Sequence, residues 1–239
     1  MGIRVGTSGF SYAEWKGTFY PEKLPQKKML SYYAERFSTV EINATFYRMP
    51  KPELLEGWAA EVPPDFTFVL KAPQRITHHR RLVDVQDSVD RFCAVAASLD
   101  ARLGPLLFQL PQHMKKDLAL PGAFLEALPR PAPVVVEFGD ASWFSDDTFA
   151  LLREHAATLC IVDDVNPRKA APFVETAPVG YLRLRRVEYT DSDLAAWAER
   201  LRGASWTDAY VFFKHEDAGT GPKLAERLKA ALAPRGSPA

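Results

Sequence analysis

The sequence predicts an α/β fold built as a single (β/α)8 barrel, and three observations carry that prediction. Eight short β-branched runs alternate with longer helical patterns along the whole chain. The chain has 239 residues, near the roughly 250 such a barrel needs. The competing doubly wound open sheet lacks its signature. Gly6-Thr7-Ser8-Gly9 does not have the spacing of a GxGxxG turn, and no phosphate-binding P-loop follows.

The expected strands are residues 3–8, 39–45, 67–72, 106–110, 134–138, 159–163, 181–185 and 209–214. Helical stripes lie between them. Leu30, Tyr33, Ala34 and Phe37 form one. Val89, Phe92, Cys93, Ala96, Leu99 and Leu103 form another, with Gly104 read as its C-cap. Leu194, Trp197, Ala198 and Leu201 form a third, opened by Thr190 and Asp193 at capping-box spacing. Leu224, Leu228 and Leu232 make the last. One domain over residues 1–233 is expected, then a frayed tail at 234–239.

Composition narrows the function classes. Thirty Lys and Arg balance thirty Asp and Glu, which argues against a generally basic nucleic-acid coat or an acidic tail. Hydrophobic residues at 47% and charged residues at 25% are ordinary for a globular chain. No apolar run approaches the roughly 18 residues of a membrane helix, so no membrane is expected. The first ten residues lack the apolar core of a signal peptide. Cys93 and Cys160 make no disulfide framework, and a cytoplasmic location is expected.

In a barrel, alternate strand residues point inward, and the functional end is the C-terminal one. One face carries Glu41, Asn43 and Thr45 on the second strand and Val69 with Lys71 on the third. It continues with Gln109, Glu137, Asp163, then Tyr181, Arg183 and Arg185, and finally Tyr210, Phe212 and Lys214. Cys160 is read as outward, helix-facing core. Burying any one of these charges alone costs several kcal/mol. Two readings fit: a paired network that fills the barrel top, or a polar ligand pocket. Seven polar strand ends at one mouth exceed what filling requires, which favours the pocket.

The loops at that end tilt positive. Arg75, His78, His79, Arg80 and Arg81 follow the third strand, and Arg186 follows the seventh. A small anionic ligand is the expected partner. Gly219 and Gly221, with Pro222, open the last helix and offer free backbone N–H groups to an anion. Tyr12, Trp15 and Trp143 are candidates for a stacking rim. Lys71 and Lys214 raise the question of Schiff-base chemistry, but with acids nearby ion pairing is the stronger reading. No spacing among the His, Asp and Glu residues is diagnostic of a metal, and inward cations repel one. No metal is therefore expected, and the sequence indicates no cofactor.

Several motifs carry a resemblance. Gly6-Thr7-Ser8-Gly9-Phe10-Ser11-Tyr12 with Trp15 and Phe19-Tyr20-Pro21 opens it. Thr39-Val40-Glu41-Ile42-Asn43-Ala44-Thr45-Phe46-Tyr47 is its most distinctive stretch. Phe68-Val69-Leu70-Lys71-Ala72-Pro73, Ile76-Thr77-His78, Leu107-Phe108-Gln109-Leu110-Pro111 and Val136-Glu137-Phe138 follow. Together they resemble the YecE-like family, also called domain of unknown function 72. The resemblance implies a TIM-barrel fold and carries no established reaction. Two departures stand out. Gly139-Asp140 replaces the Arg-His that relatives commonly carry, and Phe213-Lys214-His215-Glu216 replaces Phe-Asn-Asn.

The leading functional reading is an enzyme acting by acid–base chemistry on a small phosphorylated or carboxylated substrate. Glu41, Glu137, Asp163 and Lys71 are the catalytic candidates. Asn43, Gln109, His78, Arg183, Arg185, Lys214, Trp15, Tyr12, Trp143, Gly219 and Gly221 are the substrate-binding candidates. A nucleic-acid binding or processing protein stands second, and a non-catalytic sensor of an anionic ligand stands third.

Overall fold

The computed structural model describes residues 2–167, 169–215 and 217–233. The tail expected at residues 234–239 lies outside them. Each of the eight expected runs forms a strand: β1 (Gly2–Thr7), β2 (Thr39–Ile42), β3 (Thr67–Lys71), β4 (Leu103–Gln109), β5 (Val134–Glu137), β6 (Thr158–Asp163), β7 (Val179–Leu184) and β8 (Asp208–Phe213). The helices are α1 (Met29–Ala34), α2 (Ala44–Tyr47), α3 (Pro52–Ala60), α4 (Gln86–Ala96), α5 (Ala119–Ala127), α6 (Asp146–Glu154), α7 (Asp191–Gly203) and α8 (Thr220–Leu232).

All strand pairs are parallel, in the order β1-β8-β7-β6-β5-β4-β3-β2. The ladders group into two parallel sheets of four and five strands that share β6. The sheet curls strongly. Val69, Leu107, Val135, Cys160, Val162, Tyr181, Tyr210 and Phe212, from six strands, pack into one buried cluster on its inner face. The outer face and the helices share the larger core.

The expected closed ladder is not what joins β1 to β2. The strands meet there through one isolated bridge, Ser8 with Glu41, and through the Gly9 N–H, which donates to the Glu41 carbonyl at 2.7 Å. Deeper in the junction a side chain replaces the ladder. The buried Tyr33 hydroxyl accepts from the Thr7 N–H at 2.9 Å and donates to the Thr39 carbonyl at 3.0 Å. Gly6 makes room for it, since a Cβ there would lie 2.3 Å from the Thr39 carbonyl oxygen. A phenol thus supplies both partners that two buried backbone groups need.

Local differences from the expected elements have physical causes. The β6–β7 connection, residues 164–178, carries no helix among its described residues. Pro167, Pro172 and Pro178 fall in or at the end of it, and each removes a helix N–H donor. So the regular alternation of strand and helix fails once. Strand two ends at Ile42, three residues early, because residues 44–47 turn into α2. Gly104 is not a C-cap. It lies inside β4, where a Cβ would come within 3.1 Å of the Phe68 carbonyl oxygen. The capping box of α7 forms as read, with Asp193 N–H donating to the Thr190 hydroxyl and the Asp193 carboxylate accepting from the Thr190 N–H.

Removing the Tyr33 hydroxyl leaves Thr7 N–H and Thr39 C=O without partners inside the core. Tyr33→Phe should lower stability by roughly 1–3 kcal/mol, seen as a lower urea midpoint at unchanged slope.

Candidate functional site

Parallel strands bring their C-terminal ends to one side, and there the inward face turns from apolar to charged. Above the cluster of Tyr181, Cys160 and Val162 sit Glu41 of β2, Lys71 of β3, Gln109 of β4, Glu137 of β5 and Arg183 of β7. Arg185 and Lys214 follow just beyond the ends of β7 and β8.

Arg183 is the centre of this arrangement. It is 1% exposed, and its Nη2 donates to Glu41 Oε1 at 2.7 Å while Nη1 donates to Glu137 Oε2, also at 2.7 Å. The other Glu41 oxygen accepts from the Tyr181 hydroxyl at 2.5 Å. Glu137 also accepts from Gln109 at 2.7 Å and from Arg185 Nη2 at 2.8 and 3.0 Å. The fork geometry of guanidinium suits two carboxylates at once.

These contacts decide the protonation states. Burial works to raise both carboxyls, yet both end up below the ordinary range. Arg183 and the Tyr181 hydroxyl overcome burial at Glu41. Arg185 and Arg183 overcome it at Glu137. Burial works to weaken Arg183 as a cation, and Glu41 and Glu137 outweigh it. Two glutamates and two arginines therefore form a neutral, charged-state network. As bases both glutamates are weak, because both oxygens of each already accept hydrogen bonds from cationic or phenolic donors.

Lys71 stands outside that network. It is 8% exposed, and among the described residues its ammonium makes no hydrogen bond or ion pair. This corrects the ion-paired reading. Its Nζ lies 3.8 Å from the centre of the Phe46 ring, a cation–π contact. Placement is local. The Thr45 hydroxyl at the start of α2 donates to the Lys71 carbonyl at 2.6 Å, which fixes α2, and with it Phe46, over the end of β3. Burial and then Arg183 pull the Lys71 amine down from 10.5 to about 8, with Glu137 and Glu41 offsetting only part of this.

His78 also packs on Phe46, the two rings near perpendicular with centroids 4.9 Å apart. It sits in a π-type turn, Arg75–His79, a form common at functional sites. Its Nδ1 is 2.9 Å from the Thr77 hydroxyl. Burial, then Lys71 and His79, lower its pKa, so the neutral imidazole dominates at pH 7.

Other candidates fall elsewhere. Asp163 faces the helices, not the mouth. Its Oδ2 accepts from Trp197 of α7 at 3.0 Å and from Arg186 Nε at 3.0 Å. Cys160 takes the inward place, with its Sγ 3.8 Å from Glu137 Oε2. The alternation read for β6 was one residue out of phase. Trp15 and Trp143 are fully buried and form no rim. Trp15 packs among Tyr12, Phe19 and Tyr20. Trp143 stacks on Phe138 and donates to the Met114 carbonyl at 2.7 Å. Tyr12 is half-buried, donates to the Ser8 carbonyl, and shares a groove of about 230 Å³ with Asn43 and Trp58. Asn43 follows β2 as a half-buried residue whose Oδ1 lacks a partner among the described residues.

The α8 N-terminus is packed, not open. A Cβ on Gly219 would lie 2.5 Å from the Thr18 hydroxyl, and one on Gly221 would lie 2.9 Å from the His215 carbonyl. Close approach explains these glycines, and Pro222 stands at the third helical position. Gly139 is similar. A Cβ there would sit 2.5 Å from Gln112 Cα, so the loop as built excludes the arginine expected from the resemblance. Asp140 pairs with Lys115 at 3.0 Å. Two residues missed as site members are Ser8, a buried hydroxyl just past β1 that helps hold the Glu41 carboxyl low, and Tyr181. Period-two alternation already placed Tyr181 on the inward face.

Among the described residues no group of three or more His, Cys, Asp and Glu residues could hold a metal, and no helix is long and apolar enough to cross a membrane.

A parallel α/β protein with a buried Glu–Arg network at its C-terminal strand ends is the class these observations define. The chain belongs to the family described as "Protein of unknown function DUF72", whose family model matches residues 4–238. A DUF72 family protein of Thermotoga maritima MSB8 superposes with a TM-score of 0.89 at 28% identity, covering 98% of this chain and 100% of that one. A DUF72 family protein of Enterococcus faecalis V583 shares the fold, with a TM-score of 0.82 at 19% identity, covering 98% of this chain and 97% of that one. UPF0759 protein YecE of Escherichia coli (strain K12) is 36% identical over 101 residues, 42% of this chain and 37% of that protein. UPF0759 protein YunF of Bacillus subtilis (strain 168) is 30% identical over 151 residues, 60% of this chain and 52% of that protein. The matched part of this chain thus spans about half or less of those two relatives.

Replacing Arg183 with Met removes the shared partner of two buried carboxylates and should cost roughly 3–5 kcal/mol, read from urea unfolding. The pH dependence has a fixed sign. A carboxyl held below its unfolded value of 4.5 adds stability above pH 4.5 and loses it as pH falls toward the folded value. Wild-type stability should therefore drop with acid, and Glu137→Gln should flatten that drop.

Proposed function

We propose that this protein is an enzyme acting by acid–base chemistry on a small anionic substrate at the C-terminal ends of its strands. We also infer that the curled sheet works as a (β/α)8 barrel, with the β1–β2 junction bridged by Tyr33, Ser8 and Gly9. One observation carries the reading. Glu41, Glu137, Arg183 and Arg185 neutralise one another, and Lys71 remains as a buried cation with no anionic partner among the described residues. Such a charge is costly to bury alone. A bound carboxylate or phosphate supplies the missing counter-charge.

Roles follow from protonation state. Lys71 holds the anion, and Arg185, largely buried just beyond the end of β7, assists from the edge of the network. His78, neutral at pH 7, accepts a proton. The glutamates act as positioning residues that hold Arg183 and Arg185. Gln109 orients Glu137. Asp163 is engaged by Trp197 and Arg186 and takes no part.

A second reading has its own observation. Arg75, His79, Arg80 and Arg81 are exposed beside the mouth, and together they suit a phosphate backbone. Oligonucleotide binding that falls steeply with salt, and that a small anion does not compete, would support this reading over the first.

The test is a melting-temperature panel with phosphate, sulfate, pyruvate and citrate. An anion at about 100 times its dissociation constant should add about 2.7 kcal/mol, a shift of a few degrees. Because the protonated amine is the binding form, the shift should fade as pH rises through about 8. Lys71→Met should abolish it. That variant should also gain roughly 3 kcal/mol at pH 7 without ligand, since it no longer buries a cation whose pKa falls from 10.5 to about 8. The gain should shrink as pH rises from about 8 toward 10.5. A panel with no shift at all would overturn the anion site.

A further inference from the structure

We propose that Lys71 is a Schiff-base nucleophile and that the substrate of this mouth is a carbonyl compound bearing a carboxylate, of the 2-oxo acid class. This rests on the anion-site reading above and deepens it.

The geometry is that of an available amine on a rigid support. Lys71 ends β3, and its carbonyl is tied to α2 by Thr45. The two carboxylates that could lock it as an ammonium are both taken. Glu41 is held by Arg183 and Tyr181, and Glu137 by Arg183, Arg185 and Gln109. Nζ rests on the Phe46 face, an apolar surface that stabilises the cation less than a carboxylate would. His78 stands beside that same ring and offers an imidazole for proton movement. Burial and Arg183 bring the amine to about 8, so near that pH about half of it carries a free lone pair.

The electrophile follows from the nucleophile and the field. A primary amine with a free lone pair attacks carbonyl carbon. The lone pair of Nζ forms the C–N bond as the C=O π pair moves to oxygen. His78 carries two protons in turn from nitrogen to that oxygen, the first taken from the ammonium to free the lone pair and the second from the nitrogen after attack, and the oxygen leaves as water when the C–O bond breaks. Overall, one ammonium and one carbonyl give one iminium and one water, with no net proton and no change of oxidation state. The iminium keeps the positive charge at the same place. A carboxylate on the adjacent carbon then lies against that charge and the Arg185 edge, which is why the 2-oxo acids are favoured over neutral aldehydes.

The experiment traps the imine on the full chain. The protein is incubated with pyruvate, or with glyoxylate, and sodium cyanoborohydride, whose hydride reduces C=N to a secondary amine. Intact mass is read, then peptides are mapped. The expected result is one adduct per chain, of the acid's mass less one oxygen, on Lys71. Trapping should speed up as pH rises toward about 8, whereas anion binding weakens. Lys71→Arg, which keeps the cation, should give no adduct, and His78→Asn should slow trapping by roughly tenfold or more.

A melting shift with pyruvate and no adduct would overturn the Schiff base while leaving the anion site standing. No shift and no adduct would overturn both. Adducts spread over surface lysines, equal in wild type and Lys71→Arg, would also overturn it. Mapping on the wild-type chain decides the site even if a variant fails to fold.

Discussion

The guanidinium of Arg183, bonded at 2.7 Å to both Glu41 and Glu137, is the constraint on which the rest of the site depends. It joins β2, β5 and β7, strands that lie apart in the ladder order. No backbone bond could do this, because β2 and β7 share no ladder. Only curvature brings them within side-chain reach, so the network and the curl require each other. The cost of burying four charges is offset by good pairing geometry and by further hydrogen bonds to the ions. Tyr181, Gln109 and Arg185 add bonds to the carboxylates, while the Nε of Arg183 and of Arg185 lack hydrogen-bond partners among the described residues. The apolar layer beneath, Cys160, Val162 and Phe212 among others, keeps water out and makes the pairing strong.

Period-two alternation made most of this legible beforehand. Strand runs ending in Glu, Lys, Gln or Arg placed Glu41, Lys71, Gln109, Glu137, Arg183 and Arg185 on one face, and the structure brings them together. The same rule misplaced β6, because phase was set by assuming that an acid at a strand end faces the mouth. Asp163 instead serves α7 through Trp197, a partner thirty-four residues away that no local pattern announces. Cys160 took the inward place since a thiol is small enough to sit beneath Glu137. Aromatic residues misled for a related reason. Composition of a loop says nothing of whether its rings point out, and Trp15 and Trp143 both point in.

Proline and tyrosine account for the two departures from ideal architecture. Three prolines in residues 164–178 accompany a β6–β7 connection with no helix among its described residues. Tyr33 stands where a β1–β2 ladder would run. The tyrosine lay on a recognisable helix stripe, so its burial was foreseeable, but its hydroxyl role was not. That role depends on Gly6 leaving space across the gap. Local propensity reads one segment at a time, and here the decisive atoms come from three.

A purely structural account covers the pairing of the carboxylates with the arginines and does not cover Lys71. If filling the top of the strands were the only requirement, an apolar side chain over Phe46 would do it without a desolvation cost. A salt bridge would at least offset that cost, and two carboxylates lie close enough to act electrostatically on the amine. Yet both are held by other partners, and the lysine is left on an aromatic face with a weakened hold on its proton. Perturbed groups of this kind also occur in structural networks, but those perturbations come with partners. Here the perturbation comes with the absence of one among the described residues. An amine kept buried, unpaired and near neutrality beside a neutral imidazole is what a ligand-dependent charge looks like before its ligand arrives.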